Sequence, residues 1–222
     1  MKNSSISWKN SRIGITGASG EFGSALAQKL RDKGALVIGL THGPLPKIKD
    51  KAKGPQEWLQ WQCGQEEKLE NALENIDILV LNHGINPQRS QTIKDLDNAI
   101  EVNALSTWRL MGLFEKVCEQ SQDSLKSREL WVNTSEAEIQ SALSPAYEIS
   151  KRLIGNLVSL RWGNLQAKKL KTIKIRKLIL GPFRSKLNPI GIMPTNWVVN
   201  QVLFQVELGL NLIIVTPNPI TY

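Results

Sequence analysis

The chain has 222 residues, 41% hydrophobic and 22% charged, which suits one folded domain and argues against global disorder. Apolar runs such as Ile78–Leu81 and Leu212–Val215 have only strand length, and the N-terminus lacks an apolar signal core, so we expect a cytoplasmic protein without a membrane segment. The two cysteines, Cys63 and Cys118, exclude a disulfide scaffold and a CxxC zinc site, and we expect free thiols and no metal.

The net charge is +8, and much of it comes from two basic clusters at 47–53 and 168–177. Such clusters suit an anionic partner such as a phosphate-bearing ligand, a nucleic acid or an acidic membrane. They are also typical of solvated loops and element ends. Because no nucleic-acid motif accompanies the charge, we favour solvated loops and expect no nucleic-acid partner.

Strand-like apolar runs alternate with helical patterns along the chain, after an expected flexible tail at 1–10. The predicted strands are Arg12–Thr16, Ala35–Leu40, Trp58–Gln62, Ile76–Leu81, Leu130–Asn133, Ile173–Leu180 and Leu212–Val215. The predicted helices are an amphipathic one that carries Phe22, Ala25, Leu26 and Leu30 and ends at Gly34, then Glu66–Glu74, Leu96–Glu119, Ala146–Lys168 and Trp197–Leu208. This alternation predicts an α/β fold for 1–222, namely a single domain with a doubly wound, parallel, Rossmann-like sheet.

A glycine-rich turn, TGASGEFG at 16–23, joins the first predicted strand to the first helix. Glycines permit a tight turn and close approach of the backbone to a pyrophosphate, which the helix N-terminus attracts. An ordinary strand-to-helix turn is the alternative. The segment resembles the TGxxxGxG turn of short-chain dehydrogenases/reductases, with Glu21 at the usual second glycine, and its TGxxGxxG form resembles the extended branch of that superfamily. The resemblance assigns cofactor contacts to Gly17, Ser19, Gly20, Phe22 and Gly23.

Tyr147 and Lys151 stand four residues apart in a predicted helix and therefore share one face. A neighbouring ammonium stabilises a phenolate, so we expect Lys151 to lower the tyrosine pKa. A phenol tuned in this way exchanges a proton with a carbonyl or alcohol oxygen. The alternative interpretation is a pair of residues on a helix surface.

Other residues extend the resemblance to the active site of the same superfamily. Ser135, after a predicted strand, precedes the YxxxSK segment with one residue fewer than is usual there, and Thr134 is the alternative for the usual spacing. Asn103 matches a mid-helix asparagine that helps to hold a proton-relay water. The catalytic group implied by the resemblance is Tyr147, Lys151, Ser135 and Asn103.

The resemblance also assigns cofactor contacts after later strands. His83 replaces the usual alanine of an NNAG-like segment, and we expect it to be packed or to flank the cofactor. The Gly-Pro order at 181–182 is the reverse of the usual one. The assigned contacts are Asn82, Gly84, Gly181, Ser185 and Lys151, which binds the nicotinamide ribose.

The end of the second predicted strand bears on the choice of cofactor. A carboxylate there binds the ribose 2′-hydroxyl of NAD, whereas this strand ends without one. Thr41 and His42, followed by Lys47 and Lys49, suit a 2′-phosphate instead. We therefore expect NADP, with NAD as the alternative.

The resemblance covers Ile13 to Val215, nearly the whole chain. It implies an oxidoreductase that transfers a hydride between NAD(P) and a small-molecule carbonyl or alcohol, and a homo-oligomer, a dimer or tetramer, formed through long helices. A fainter similarity is to the dehydrogenase part of proteins that also carry a sterol-desaturase-like membrane domain. The alternative function is a non-catalytic, dinucleotide-binding sensor or regulator of the same fold.

Overall fold

A computed structural model of the chain describes residues 7–45, 54–89, 92–121, 127–167 and 173–217. The lysine-rich cluster at 47–53, with the predicted phosphate-binding Lys47 and Lys49, lies outside these ranges. So do the first residues of the second cluster, at 168–172. Both cysteines are free thiols, as expected.

Seven strands form one parallel sheet in the order β3-β2-β1-β4-β5-β6-β7. They are β1 (Arg12–Thr16), β2 (Leu36–Thr41), β3 (Glu57–Gln60), β4 (Ile78–Leu81), β5 (Arg128–Asn133), β6 (Ile173–Leu180) and β7 (Leu212–Val215). The strand order reverses between β1 and β4, and doubly wound sheets bind ligands in the crevice beyond the carboxyl ends of such strands. The predicted Rossmann-like fold is confirmed.

Helices flank the sheet, and most match the predicted ones within a few residues. They are α1 (Glu21–Asp32), α2 (Glu70–Leu73), α3 (Ile93–Ile100), α4 (Ser106–Gln120), α5 (Pro145–Ala167) and α6 (Thr195–Glu207). Two predictions need correction. The helix expected over Glu66–Glu74 begins as a 3₁₀ turn, Glu66–Leu69, and the long helix expected over Leu96–Glu119 is α3 and α4 joined by a π-helical turn, Glu101–Leu105.

The core has two parts, in accordance with a sheet whose strands are buried on both sides. One part packs α1 and α6 against residues such as Ile13 and Trp131, and the other packs α4 and α5 against residues such as Leu79. Phe114 of α4 and Val158 of α5 are fully buried in the second part. The broad apolar faces of these helices therefore reflect burial against the sheet, and homo-oligomerisation stays a prediction.

The expected flexible tail at 1–10 is wrong for its described part. Trp8 is buried, makes an edge-to-face contact with Trp131, and donates from Nε1 to the Glu207 carboxylate at 2.9 Å. An indole that packs on a core tryptophan ties this segment to α6 and the sheet.

Two members of the second basic cluster are buried, which corrects the expectation of a solvated cluster. The Arg176 guanidinium pairs with Glu129 at 2.7 Å, and the Lys177 ammonium pairs with Glu138 at 2.7 Å. Each charge is thus neutralised within the protein. In the described ranges, no helix is long and apolar enough to cross a bilayer.

Candidate active site and dinucleotide-binding turn

The glycine-rich turn adopts a conformation that side chains would obstruct. Gly17 has φ +63°, and a Cβ there would lie 3.0 Å from the Asn82 carbonyl oxygen. Its own carbonyl accepts from the Gly20 N–H at 3.0 Å. Helix α1 then begins at Glu21, and no side chain caps its first N–H groups. The turn therefore presents backbone donors and the positive end of a helix dipole at the carboxyl edge of the sheet.

Substitution of Gly23 by alanine is expected to damage this turn. A Cβ at Gly23 would lie 2.4 Å from the Gly17 carbonyl oxygen and 2.8 Å from the Ala18 Cα, so backbone must move. We expect a loss of about 3 kcal/mol of stability, a fall in Tm of about 5–10 °C, and weaker dinucleotide binding. Thermal denaturation and cofactor fluorescence measure both effects. Gly163→Ala is the control, because a Cβ at Gly163 meets nothing within 4 Å; equal behaviour of the two variants would contradict the prediction.

Two residues in the turn, both predicted to contact a cofactor, differ in the exposure of their side chains. Ser19 is exposed beside the helix N-terminus. The Phe22 side chain is buried and packs on Phe183, with ring centroids 5.8 Å apart. Only the backbone N–H of Phe22 therefore faces the predicted pyrophosphate position.

A polar network joins the ends of β1, β4 and β5 to Lys151, and sequence reasoning assigned Asn82 and Lys151, but not Thr16 or Asn133, to the site. The Thr16 hydroxyl accepts from the Asn82 N–H at 2.8 Å. The Asn133 amide donates to Asn82 Oδ1 at 2.6 Å, and the Asn133 carbonyl accepts from the Lys151 ammonium at 3.3 Å. Asn82 thus braces the strand ends, its predicted contact with a cofactor stays a prediction, and the network leads from the glycine-rich turn to Lys151. The position of Asn133 as the last residue of a strand was the available sequence signal.

Ser135 and Tyr147 meet through their side chains. The Ser135 hydroxyl interacts with the Tyr147 phenol and lowers its pKa, and Ser135 Oγ also accepts from the Ala137 N–H at 3.2 Å. Thr134, the alternative partner, is buried and donates to the Leu178 carbonyl at 3.1 Å instead. The structure therefore brings together Ser135 and Tyr147 despite their short spacing, and it directs Thr134 toward β6.

The pKa values in this cluster differ from the expected ones. Burial raises the pKa of Tyr147, and the hydrogen bond from Ser135 opposes this shift without cancelling it. The Lys151 ammonium lies 5.7 Å from the Tyr147 ring centroid and is directed at the Asn133 carbonyl. The expected lowering of the tyrosine pKa by Lys151 is therefore absent from this structure. Burial lowers the pKa of Lys151 to about 8, against the attraction of the Glu138 carboxylate.

Asn103 lies in the π-helical turn, is almost fully buried, and uses both ends of its amide within the protein. Its Oδ1 accepts from the Ile85 N–H at 2.8 Å, and its Nδ2 donates to the Ile85 carbonyl and to Ser150 Oγ, both at 2.9 Å. The side chain is therefore a positioning group that ties the segment after β4 to the helix of Tyr147. A role in holding a relay water stays a prediction.

Gly84 lies between this asparagine and the lysine. A Cβ at Gly84 would come 3.0 Å from Asn103 Oδ1 and 3.9 Å from Lys151 Nζ. The absence of a side chain leaves the Gly84 backbone uncovered beside the ammonium, and its contact with a cofactor stays a prediction.

His83 is packed, as expected, and is a poor candidate for proton transfer. Its Nδ1 lies 2.9 Å from the Thr16 hydroxyl, and its ring meets Trp61 edge-to-face at 5.0 Å between centroids. Burial, reinforced by the nearby positive charge of Lys151, lowers its pKa to about 3. The imidazole therefore stays neutral at physiological pH.

At the end of β2, the two predicted cofactor contacts differ in exposure. Thr41 is buried, and its hydroxyl accepts from the Gly43 N–H at 3.2 Å, which closes a local turn. His42 is exposed. Of these two, His42 is the side chain that is accessible to a 2′-phosphate.

The segment after β6 closes the site on another side. A Cβ at Gly181 would meet Glu136 Oε2 at 2.9 Å, so glycine is needed where the loops after β5 and β6 touch. Ser185 Oγ accepts from the Asn188 N–H at 3.1 Å, so this hydroxyl stabilises its own loop. Ser185 also lines an open cleft of about 690 Å³ between Glu21 and the 184–195 segment. Among the described residues, no group of three or more His, Cys, Asp or Glu is arranged to hold a metal ion.

Comparisons with known proteins agree with this architecture. The model of a family described as "NAD dependent epimerase/dehydratase family" matches residues 13–137. Monoglucosyldiacylglycerol epimerase of Synechocystis sp. is 44% identical over 225 residues, which cover 100% of this chain and 53% of that protein. The chain thus spans about half the length of the curated relative that it matches.

Two solved structures share the fold. A short-chain dehydrogenase from Burkholderia cenocepacia, in complex with NADP, has a TM-score of 0.78 at 16% identity and covers 97% of this chain and 91% of its own. A bulky-bulky ketone specific alcohol dehydrogenase from Comamonas testosteroni has a TM-score of 0.76 at 16% identity, with 94% and 87% covered. Likeness at this level of identity establishes the fold alone.

Proposed function

Because the chain belongs to the NAD dependent epimerase/dehydratase family, within the short-chain dehydrogenase/reductase superfamily that its motifs predicted, we propose that it interconverts an alcohol and a ketone with NADP. The observation that carries the proposal is the meeting of Tyr147 with Ser135, beside Lys151, at the carboxyl edge of the sheet. This edge also carries the glycine-rich turn. An acid–base group and a dinucleotide cradle therefore border the same crevice.

The residues at this edge fit a dinucleotide. A Cβ would approach other protein atoms within about 3 Å at each of three glycines, Gly17, Gly23 and Gly84. The backbone at these positions is therefore closely packed and not covered by a side chain of its own. The start of α1 suits the two phosphates of a dinucleotide, since its N–H groups and dipole attract anions. The Lys151 ammonium suits a ribose hydroxyl as a donor. A bound nicotinamide ring supplies the acceptance and return of a hydride.

The tyrosine provides the proton chemistry in this proposal. With its raised pKa, Tyr147 carries its proton at neutral pH and donates it to a ketone oxygen during reduction. In oxidation its phenolate takes the alcohol proton, and a bound nicotinamide would accept the carbon-bound hydrogen as hydride. Ser135, fixed by the Ala137 N–H, orients the substrate oxygen and stabilises its developing negative charge.

We further propose that the two half-reactions combine into an epimerisation. Oxidation of a secondary alcohol followed by reduction from the opposite face inverts one carbon and restores the cofactor, so atoms and electrons balance without an external oxidant. The support is the 44% identity to the Synechocystis epimerase over the whole of this chain. The proposed substrate is therefore monoglucosyldiacylglycerol, and the proposed reacting group is a hydroxyl-bearing carbon of its glucosyl headgroup.

The proposed cofactor is NADP. The described part of the segment after β2 holds no carboxylate, and the exposed His42 lies there. Titration of the protein with NADPH and NADH, followed by cofactor fluorescence, is expected to give at least about tenfold tighter binding of NADPH, or about 1.4 kcal/mol. Tighter binding of NADH would assign the cofactor to NAD and leave the reaction class intact.

The reaction is tested with monoglucosyldiacylglycerol, NADP⁺ and the protein in D₂O. We expect a stereoisomer of the lipid whose inverted carbon carries no deuterium, because the hydrogen returns from the cofactor and not from solvent. Deuterium at that carbon would contradict the ketone route. Accumulation of a ketone with NADPH would instead identify a plain dehydrogenase. Tight cofactor binding without turnover of the lipid or of simple alcohols and ketones would favour the non-catalytic sensor.

A further inference from the structure

Exposed apolar side chains border the candidate active site. Five of them, in the loops that follow β5 and β6, are named here the apolar rim: Ile139, Leu143, Leu187, Ile190 and Ile192. The exposed fractions of Leu143 and Ile190 are 72% and 73%. Large apolar side chains gathered in this way around a site are typical of a surface that meets a partner or a membrane.

The two loops of the apolar rim lie side by side at the site. They touch where Glu136, which precedes Ile139, meets Gly181, and β5 and β6 are neighbours in the sheet. The Leu187 carbonyl accepts from the side chains of Asn86 and Gln88, at 3.1 and 3.0 Å, so this loop also reaches the segment after β4. Leu143 lies four residues before Tyr147, the proposed acid and base. The apolar rim therefore lies in loops that adjoin the candidate site.

The apolar rim itself is uncharged, and the charged side chains beside it at 184–192 are cations. The segment 184–192 carries Arg184 and Lys186, both exposed, and no carboxylate, while 139–147 carries no charged residue at all. The carboxylate of Glu21, at the neighbouring cleft, accepts from the Lys186 backbone N–H at 3.1 Å. Exposed cations next to exposed isoleucines and leucines match a surface that offers both anionic headgroups and hydrocarbon.

We propose that the apolar rim docks on an anionic lipid bilayer, so that the sugar of a membrane-resident glycolipid enters the site without leaving the bilayer. A second copy of this chain is a poorer occupant, because a symmetric contact would bring two cationic rims together. The inference rests on the proposed glycolipid substrate. It adds the surface by which that substrate is reached.

Cosedimentation with vesicles tests the docking directly. The probes are phosphatidylcholine vesicles with and without phosphatidylglycerol, and the variant is Leu143→Ser combined with Ile190→Ser, neither of which lines the cleft. We expect binding to the anionic vesicles, reduced at least about tenfold in the double variant. The matched control is Leu160→Ser with Phe204→Ser, which alters two other exposed apolar side chains, on α5 and α6, and should leave binding unchanged.

Activity separates this inference from the proposed function. The Leu143/Ile190 double variant is expected to turn over a water-soluble glucoside at the wild-type rate and vesicle-borne glycolipid at least about tenfold more slowly. Equal vesicle binding by wild type, variant and control would overturn the docking surface while leaving the proposed reaction intact. A change in oligomeric state with unchanged vesicle binding would assign the surface to a second copy and also overturn the inference. Vesicle binding that depends on the apolar rim, without turnover of either substrate, would contradict the proposed function and support the docking surface.

Discussion

Tyr147→Phe is expected to lower turnover about 10³-fold while cofactor affinity stays within about twofold of wild type. The substitution removes only the hydroxyl that exchanges a proton with the substrate oxygen. The aromatic ring remains, so the packing beside the Lys151 ammonium, 5.7 Å from the ring centroid, is kept. The measurements are the rate of product formation at saturating substrate and the fluorescence titration of bound NADPH. Turnover within about tenfold of wild type would remove Tyr147 from the chemistry.

A matched pair of variants accompanies this prediction. Ser135→Ala removes the hydroxyl that is hydrogen-bonded to Tyr147, whereas Thr134→Val removes a hydroxyl that donates to the Leu178 carbonyl. We expect the first to lower turnover about 10²-fold and the second to affect mainly stability, by about 1 kcal/mol. If Thr134→Val abolished turnover and Ser135→Ala did not, the alternative spacing would be the correct one.

The direction of the tyrosine pKa shift gives the reaction a pH signature. A raised pKa means that the phenolate needed for oxidation is scarce at neutral pH and becomes more abundant as the pH rises. Reduction uses the phenol, which is already the main form. The rate of oxidation is therefore expected to increase as the pH rises, whereas the rate of reduction stays nearly constant. Both rates depend on the proton that Tyr147 exchanges.

Sequence patterns specified the sheet because most strands are short apolar runs that are buried; the edge strand β3 (Glu57–Gln60) is the more polar and exposed exception. The glycine-rich turn was equally readable, since Gly17 adopts a backbone conformation that other residues avoid. Periodicity did not reveal the π-helical turn around Asn103, because one extra residue in a helical turn leaves an amphipathic pattern almost unchanged. That turn nevertheless sets where the asparagine amide lies.

The electrostatics of the site depended on tertiary contacts that spacing does not encode. Tyr147 and Lys151 share a helix face, as their spacing predicted, but the ammonium is directed at the carbonyl of Asn133 on another element. Burial then raises the tyrosine pKa, and only the interaction with Ser135 opposes this shift. In the same way, the sequence placed Arg176 in a solvated cluster, whereas in the structure it is buried on β6 and pairs with Glu129 of the neighbouring strand. The proximity of Tyr147, Ser135 and Lys151 was predictable from motifs, whereas the pKa shifts of these residues required the fold.

The second large effect is expected for Lys151→Met, which should lower activity about 10²-fold or more and raise stability at neutral pH. The ammonium of Lys151 is only 5% exposed, and burial lowers its pKa from 10.5 to about 8. Between these two values the unfolded chain binds more protons than the folded one, so wild-type stability rises with pH across this window. Below about pH 8 the folded protein bears the full cost of the buried charge, about 3 kcal/mol in principle.

Methionine has similar length and no charge, so it removes this cost while the Asn133 carbonyl loses its donor. We therefore expect Lys151→Met to be about 1–3 kcal/mol more stable than wild type at neutral pH, with a difference that shrinks as the pH rises toward 10. Urea denaturation at several pH values measures this trend, and cofactor titration measures the accompanying loss of the ribose contact. A variant that is less stable at neutral pH would mean that the ammonium is held by interactions stronger than its desolvation. A gain in stability on removal of the Lys151 ammonium would indicate that this residue serves function and not stability.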